Sequence, residues 1–266
     1  EKAEKAEKDV PTAPTDGKAR VLVVEDIEVN QKVVLNQLKL LGYVTDCVNN
    51  GQEALDRLLA HIPDIILMDC QMPVMDGYNA TQAIRERERG TDRHTVIIGL
   101  TAYAMVGDRQ KCLDAGMDDY LTKPVSMEKL ADVLAHWLKA TRQSELDPLV
   151  ASSHLETRNS FGGLLDWHRL DQVSGGDREF ELELLEAFIE SANEYIEELA
   201  RALASKDATA VARFAHQLKG ASGNVGIPAM MEFSTRINDR AKQNNLDGIT
   251  EELEELQRLQ QEVKAA

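Results

Sequence analysis

The sequence predicts two domains of different fold class: an α/β domain with a doubly wound, five-stranded parallel sheet, followed by an all-α helical bundle. Short apolar segments alternate with helical periodicity up to about residue 140, which is typical of a parallel sheet covered by helices on both faces. Beyond that point only helical periodicity continues. A chain of 266 residues, 43% of them hydrophobic, is long enough for two such domains.

The five predicted strands are short segments rich in apolar and β-branched residues: VLVVED, YVTDCV, DIILMD, TVIIGLT and DDYLTKP, in that order. Runs that are apolar throughout, such as VLVV and IILM, predict strands buried on both faces. Amphipathic segments at about 28–41 and 51–60 predict the first two of the helices that separate these strands.

Four amphipathic segments predict the bundle: DREFELELLEAFIESANEYIEELARAL, and then about 207–225, 227–243 and 247–264. We expect Pro228 in the first turn of its helix, where its missing N–H leaves no hydrogen bond unmade. The pattern predicts an up-and-down four-helix bundle.

Two segments are predicted to be linkers. The first, 1–19, contains the charged repeat EKAEKAEK, and the second, 141–163, is rich in small and polar residues. They delimit an α/β domain at 20–140 and a helical domain at 164–266. Because the chain begins with Glu instead of Met, we interpret it as a piece of a larger protein.

Charge and hydropathy restrict the class of function. The net charge is −16, whereas nucleic-acid binding requires basic surfaces, so we expect no nucleic-acid partner. No run of about 18 apolar residues occurs, so we expect no direct membrane contact from this segment and a cytoplasmic location, with any membrane tether upstream. The three cysteines have no metal-like spacing and fit a reducing compartment.

Five chemically notable residues are predicted at the carboxyl ends of the strands, where parallel sheets bind ligands. Glu25 and Asp26 end the first strand, Asp69 the third and Thr101 the fourth, and Lys123 follows the fifth. Three converging carboxylates repel one another, and Mg²⁺ would relieve that repulsion while keeping water and phosphate oxygens as its other ligands. The lysine and the threonine would meet the remaining oxygens of a phosphoryl group, which Asp69 could accept by in-line attack. Taken singly, the acidic pair could equally cap a helix.

These residues lie in segments that resemble the receiver domain of response regulators. VLVVEDIEVNQ, ILMDCQMPVMDG, LTA and YLTKP match that family in order and spacing over about residues 19–140. The resemblance implies a flavodoxin-like strand order, Asp69 as the phosphoacceptor, and Thr101 and Lys123 as ligands of the phosphoryl group.

The same resemblance implies a magnesium site and a switch residue. Asp26 would bind Mg²⁺ directly, Glu25 would help to hold it partly through water, and the backbone carbonyl of Gln71 would complete the protein ligands. Tyr120 occupies the aromatic switch position, whose ring turns inward when the threonine moves toward the phosphate.

His216 lies in the segment AHQLKGASGNVG. On a helical wheel it projects roughly 165° from the centre of the apolar stripe, which disfavours a core histidine. Its neighbours Gly220 and Gly223 are small and Lys219 lies at i+3, so another protein's active-site rim could reach the imidazole. Alternatively, Gly220 ends the helix as a C-cap.

The segment HQLKGASGNVG resembles the motif of histidine-containing phosphotransfer (HPt) domains, over about residues 164–266. The resemblance implies that His216 is phosphorylated and that Lys219 stabilises the phosphate. It also implies that Gly220, with Gly223, leaves room for a docked receiver.

Together the two resemblances imply a phosphorelay module of two-component signal transduction, similar to the C-terminal part of a hybrid sensor histidine kinase. The phosphoryl group would pass from a kinase phosphohistidine to Asp69, then to His216, and then to a separate response regulator. An upstream kinase domain and a downstream receiver are the expected partners. The sequence has no glycine-rich ATP-binding segment, so we expect no autophosphorylation from ATP.

Other interpretations remain open. A free-standing relay protein, or a phosphate sink in which phospho-Asp69 is hydrolysed, would use the same residues. An acid-nucleophile phosphohydrolase is disfavoured because such enzymes need a second acidic residue two positions after the nucleophile, where this chain has Gln71. The arrangement of the two domains is also open, and a resting structure could hold Asp69 and His216 far apart.

Overall fold

The computed structural model describes residues 18–102, 106–142 and 163–265. Its first domain contains a five-stranded sheet in the order β2-β1-β3-β4-β5, with every neighbouring pair parallel. The strands are β1 (Arg20–Val24), β2 (Val44–Val48), β3 (Ile65–Asp69), β4 (Val96–Thr101) and β5 (Asp119–Thr122). The predicted fold and strand order are confirmed.

Five helices cover the two faces of this sheet. They are α1 (Glu28–Leu40), α2 (Gly51–Ala60), α3 (Gly77–Glu88), α4 (Val106–Asp114) and α5 (Met127–Arg142). Side chains that alternate along the strands enter two separate apolar layers, so β3 and β4 are buried along their whole length. The register pairs Asp69 with Leu100 and Thr101 with Thr122, which brings the carboxyl ends of three strands to one edge.

The second domain contains the four predicted helices and one more. The helices are α6 (Trp167–Ser174), α7 (Arg178–Ala204), α8 (Ala208–Val225), α9 (Pro228–Lys242) and α10 (Ile249–Ala265). Pro228 is the first residue of its helix, as predicted. The eight-residue α6 is absent from the helices that the sequence predicts, because so short a segment shows barely two turns of periodicity.

Helix α8 continues without interruption through Gly220 and Gly223. It ends at Gly226, whose φ of 82° is the left-handed conformation that favours glycine at a helix C-terminus. The C-cap interpretation of Gly220 is therefore wrong. Neither glycine ends the helix. Both lie inside it, where the missing side chain leaves space for neighbouring residues.

The two domains pack directly against each other through α1, which contacts α6, α7 and α8. Ile27, Val29 and Val33 are at most 1% exposed and belong to the same apolar cluster as the core of the bundle. Burial of three such side chains favours association by about 1.5–3 kcal/mol each, before entropic costs are subtracted. The first domain thus covers an apolar face of the second.

Polar contacts surround this apolar contact. Asn36 Nδ2 donates to the carbonyl of Val173 at 2.9 Å, and Arg169 donates to the carbonyl of Val125 at 3.0 Å. Lys32 forms an ion pair with Glu183.

The predicted domain limits at 20, 140 and 164 stay predictions. The linker prediction for 141–163 lies almost wholly outside the described residues, as does most of 1–19. Within the described ranges, no helix combines the length and the apolar character that a membrane crossing requires.

Candidate functional site

The predicted acidic residues meet at the carboxyl ends of β1 and β3. Glu25 and Asp26 follow β1, and Asp69 is the last residue of β3, so the parallel register places them side by side. One carboxylate oxygen from each of the three lies within 4.8 Å of the others. Hard oxygen donors at this spacing fit a divalent cation such as Mg²⁺.

Lys123 lies between two of these carboxylates. Its Nζ is 2.9 Å from Asp69 Oδ2 and 2.5 Å from Glu25 Oε2, and its side chain is only 8% exposed. Burial alone would lower the pKa of Lys123, but Asp69 and Glu25 outweigh burial and raise it. The ammonium therefore stays charged and neutralises part of the acidic cluster.

The two acidic residues after β1 have raised pKa values. Burial, followed by the charge of Asp69, raises the pKa of Glu25 to about 7, although Lys123 opposes the shift. Burial and Asp69 likewise raise the pKa of Asp26 to about 6. Asp26 Oδ1 is buried and has no hydrogen-bond partner among the described residues. The cluster therefore has more negative charge than Lys123 neutralises, and it offers an unused oxygen to a cation.

The remaining predicted receiver residues surround this cluster. Thr101 is buried at the end of β4, and its carbonyl accepts a 2.7 Å hydrogen bond from the backbone N–H of Lys123. Gln71 donates its backbone N–H to Asp69 Oδ1 at 3.2 Å. Tyr120, on β5, is half-buried against the apolar layer that β3 also faces.

His216 lies over the same edge of the sheet. A cavity of about 350 Å³ lies between the two domains beside their direct contact, and both domains contribute to its walls. The lining residues that carry polar or charged side chains include Asp26, Gln71 and Asp76 from the first domain and Arg213, His216, Gln217 and Lys242 from the second. The acidic cluster and His216 therefore lie close together within one chain. The alternative arrangement, in which Asp69 and His216 are far apart, is not the one that the structure shows.

The imidazole of His216 points away from the core of its own domain, as predicted, but it is covered by the other domain. Nδ1 is buried and has no hydrogen-bond partner among the described residues. Burial lowers the pKa of His216 to about 3, and Lys123, Lys242 and Lys219 act in the same direction. The ring is consequently neutral at physiological pH, which is the form that can act as a nucleophile.

The two glycines of α8 face different neighbours. A Cβ on Gly220 would lie 3.2 Å from Asn30 Nδ2 and 3.6 Å from Ile27 Cδ1, both in the first domain. A Cβ on Gly223 would lie 2.9 Å from Met231 Sδ in its own domain and 4.0 Å from Pro124. Gly220 thus admits the first domain directly, whereas Gly223 mainly admits Met231.

Four residues of the contact are missing from the sequence predictions: Gln217, Asn224, Asn30 and Lys242. Gln217 and Asn224 lie in the same segment as His216, but the sequence does not indicate which group in the other domain each amide side chain will bind. Lys242 ends α9 and reaches the cavity only through the packing of α8 on α9.

Comparison with protein families agrees with both halves of this geometry. The model of the response regulator receiver domain matches residues 21–135, and the model of the Hpt domain matches residues 183–266. The chain is a receiver domain joined to an HPt domain. This pair of domains places it in two-component phosphorelay signalling.

Curated relatives of the receiver–HPt chain include histidine kinases. The sensor histidine kinase GacS of Pseudomonas protegens is 32% identical over 234 residues, which cover 85% of this chain and 24% of the relative. Hybrid signal transduction histidine kinase B of Dictyostelium discoideum is 42% identical over 147 residues, covering 52% of this chain and 7% of the relative. The chain therefore spans a quarter or less of the length of these relatives.

A solved receiver structure is similar in sequence to the part of the chain that it matches. The receiver domain of a sensor histidine kinase from Pseudomonas aeruginosa, which has a magnesium ion coordinated in its active-site cleft, is 43% identical. The match covers 46% of this chain and 99% of that one, with a TM-score of 0.43.

Proposed function

We propose that the receiver–HPt chain is the relay segment of a hybrid sensor histidine kinase. Asp69 accepts a phosphoryl group from a kinase phosphohistidine, His216 takes it from Asp69, and a separate response regulator receives it from His216. The observation that carries this proposal is the common cavity, which His216 lines together with Asp26 and Gln71, the neighbours of Asp69. Similarity to a relative named as a hybrid signal transduction histidine kinase supports the wider assignment.

The first step forms a bond between an Asp69 carboxylate oxygen and phosphorus, while the N–P bond of the donor breaks and its imidazole leaves. Lys123 already contacts Asp69 Oδ2 at 2.9 Å, so its ammonium is placed to stabilise oxygens of the incoming phosphoryl group. Thr101, at the end of the neighbouring strand, is the proposed second ligand of those oxygens.

The second step reverses the roles. The unprotonated nitrogen of neutral His216 attacks phosphorus, the O–P bond breaks, and Asp69 leaves as a carboxylate. Burial, together with the nearby lysines, keeps the ring neutral before attack, and the lysines offer positive charge to the phosphoryl oxygens as these arrive. We propose Lys219 and Lys242 for this role.

The residues present fit a resident Mg²⁺. Glu25, Asp26 and Asp69 would hold it, with the backbone carbonyl of Gln71, because the carboxylate oxygens cluster within reach and the buried Asp26 Oδ1 has no partner within residues 18–102, 106–142 and 163–265. When bound, the cation would neutralise charge on the carboxylates and on the phosphoryl group. Independently of the cation, the docked HPt domain partly covers the acidic rim and so reduces the access of bulk water to it, which disfavours loss of the phosphoryl group by hydrolysis.

Docking has a consequence for both partners of the relay. The receiver covers His216 and the HPt domain covers the acidic rim, so neither an upstream kinase nor a downstream regulator can reach its target in this arrangement. Loading and unloading of the chain therefore require the domains to separate, and transfer from Asp69 to His216 requires them to dock.

A phosphoryl-tracing experiment tests the proposal. The full chain is loaded with a radiolabelled low-molecular-weight acyl phosphate and Mg²⁺, alongside Asp69→Asn, His216→Gln and the surface controls Asp56→Asn and His168→Gln. The proposal expects base-labile label at Asp69 that passes to base-stable label at His216, and no label at all in Asp69→Asn. Label in His216→Gln should remain base-labile.

Two results would count against the proposal. Base-stable label that persists in His216→Gln would exclude His216 as the acceptor. Rapid release of free phosphate from the wild-type chain with no base-stable intermediate would favour the phosphate sink.

A further inference from the structure

One amide side chain of α8 contacts the acidic pair of the receiver directly, and a second is linked to the pair through Asn30. Gln217 Nε2 donates to Asp26 Oδ2 at 2.9 Å. Asn224 Nδ2 donates to Asn30 Oδ1 at 2.8 Å, and Asn30 Nδ2 donates to Glu25 Oε1 at 2.7 Å. Each carboxylate of the pair is thus connected to the HPt domain, one directly and the other through a single amide.

The spacing along α8 explains why both contacts form together. Gln217 and Asn224 are seven residues apart, so they lie on one face of the helix and about 10.5 Å apart along its axis. Gly220 stands between them and lets Asn30 and Ile27 approach the helix backbone. Asn30 and Asn224 are buried to 1% and 3% exposure, so these hydrogen bonds are shielded from competing water.

The direction of each hydrogen bond follows from the chemistry of the acceptors. Glu25 Oε1 and Asp26 Oδ2 are the acceptors, so Asn30 and Gln217 both present their NH₂ groups to them. The oxygen of Asn30 then faces Asn224, which must donate in turn. The arrangement is a directed chain that specifies one register of α8 on the receiver.

The amides bind the acidic pair without neutralising it. A lysine or an arginine at position 217 would place a further positive charge beside the cluster and would compete with a divalent cation. Gln217 uses only Oδ2 of Asp26, and Oδ1 is buried with no hydrogen-bond partner in the part of the chain that the structure describes.

We propose that Gln217 and Asn224 are positioning residues that seat α8 on the Glu25–Asp26 pair while leaving that pair available to a divalent cation. The inference rests on the receiver–HPt contact of the proposed relay and names the residues that set its register. It applies to the unphosphorylated full chain, so it can be tested without any phosphoryl transfer.

Docking is measured in the full chain as hydrogen-exchange protection of α1. Gln217→Leu keeps the bulk and removes the donor, and it leaves Asp26 covered without that bond; we expect exchange in α1 to accelerate about tenfold or more. Asn224→Ala should act in the same direction. The matched control Gln261→Leu, on the exposed face of α10, should stay within twofold of wild type. Protection of α1 in Gln217→Leu within twofold of wild type would overturn the inference.

The proposal that the amides leave the acidic pair available to a cation is tested with the variant Gln217→Lys. Calorimetric titration with Mg²⁺ alone measures its affinity for the cation. The new ammonium can still bind Asp26, so α1 should remain protected, but Mg²⁺ affinity should fall about tenfold or more. Unchanged Mg²⁺ affinity in that variant would overturn this part. These readouts are independent of the relay: label transfer to His216 can fail while the docking effects persist, or succeed while they are absent.

Discussion

Lys123 Nζ lies 2.9 Å from Asp69 Oδ2, in a site where neither side chain is more than 8% exposed. The same ammonium contacts Glu25 at 2.5 Å. The proposed phosphoacceptor is therefore part of a buried ionic cluster before any phosphoryl group arrives. Buried charges of this kind are expensive to leave unpaired, so Lys123 has a structural role in addition to its proposed role toward phosphate.

Lys123→Met is expected to destabilise the receiver. Removing the ammonium leaves Asp69 buried without its cation, and Glu25 must either take up a proton or stay charged and unpaired, at a cost of about 3–5 kcal/mol in the free energy of unfolding. Urea unfolding of the full chain measures this, with the exposed Lys129→Met as control. Added Mg²⁺ should restore part of the loss; equal stability of both variants would contradict the ionic role of Lys123.

Substitutions at Gly220 should have opposite effects on the HPt helix and on docking. Gly220→Ala is expected to stabilise α8 by about 1 kcal/mol through helix propensity. Its Cβ, 3.2 Å from Asn30, should at the same time weaken docking, and Gly220→Leu should abolish it. Thermal unfolding reports the first effect and hydrogen exchange in α1 the second.

Gly223→Ala is the matched control for that pair of measurements. Its nearest contact is the flexible side chain of Met231 in the same domain, so docking should hardly change. An equal loss of docking at both glycines would show that the contact depends on helix flexibility and not on space at Gly220.

The contribution of His216 to docking should weaken as the pH falls. His216 has a pKa of about 3 when docked, against an ordinary value of 6.5 when exposed, so the undocked state binds a proton more readily. The resulting contribution to docking is nearly complete above about pH 7.5 and is lost progressively as the pH falls through 6.5, by up to about tenfold between pH 7.5 and 5.5. The difference in α1 protection between wild type and His216→Gln isolates this contribution. A difference that does not vary with pH would contradict it.

Lys242→Met should slow transfer from Asp69 to His216 by at least about tenfold, because it removes a positive charge from the cavity in which the phosphoryl group moves. It should also raise the pKa of His216 toward its ordinary value, which NMR titration of the imidazole can follow. Lys264→Met, on the exposed side of α10, should change neither quantity. A wild-type transfer rate in Lys242→Met would show that Lys242 does not assist the transfer.

The sequence by itself determined the sheet, the four long helices and the two groups of chemistry-bearing residues. Each rests on a short-range pattern: buried strands show as apolar runs such as VLVV, and the outward position of His216 follows from helical periodicity alone. Parallel strands then bring Glu25, Asp26 and Asp69 to one edge, so the acidic cluster also follows from local pattern and topology.

Only the tertiary structure decided how the two sites meet. The contact of α1 with α8, the hydrogen bond from Gln217 to Asp26 and the approach of Lys242 to the cavity depend on which apolar faces associate across a long sequence separation. Ile27, Val29 and Val33 have the apolar character of any core side chain, and no periodicity distinguishes a residue buried in its own domain from one buried against another. The partner of an amphipathic face is a property of shape in three dimensions, which local sequence does not encode.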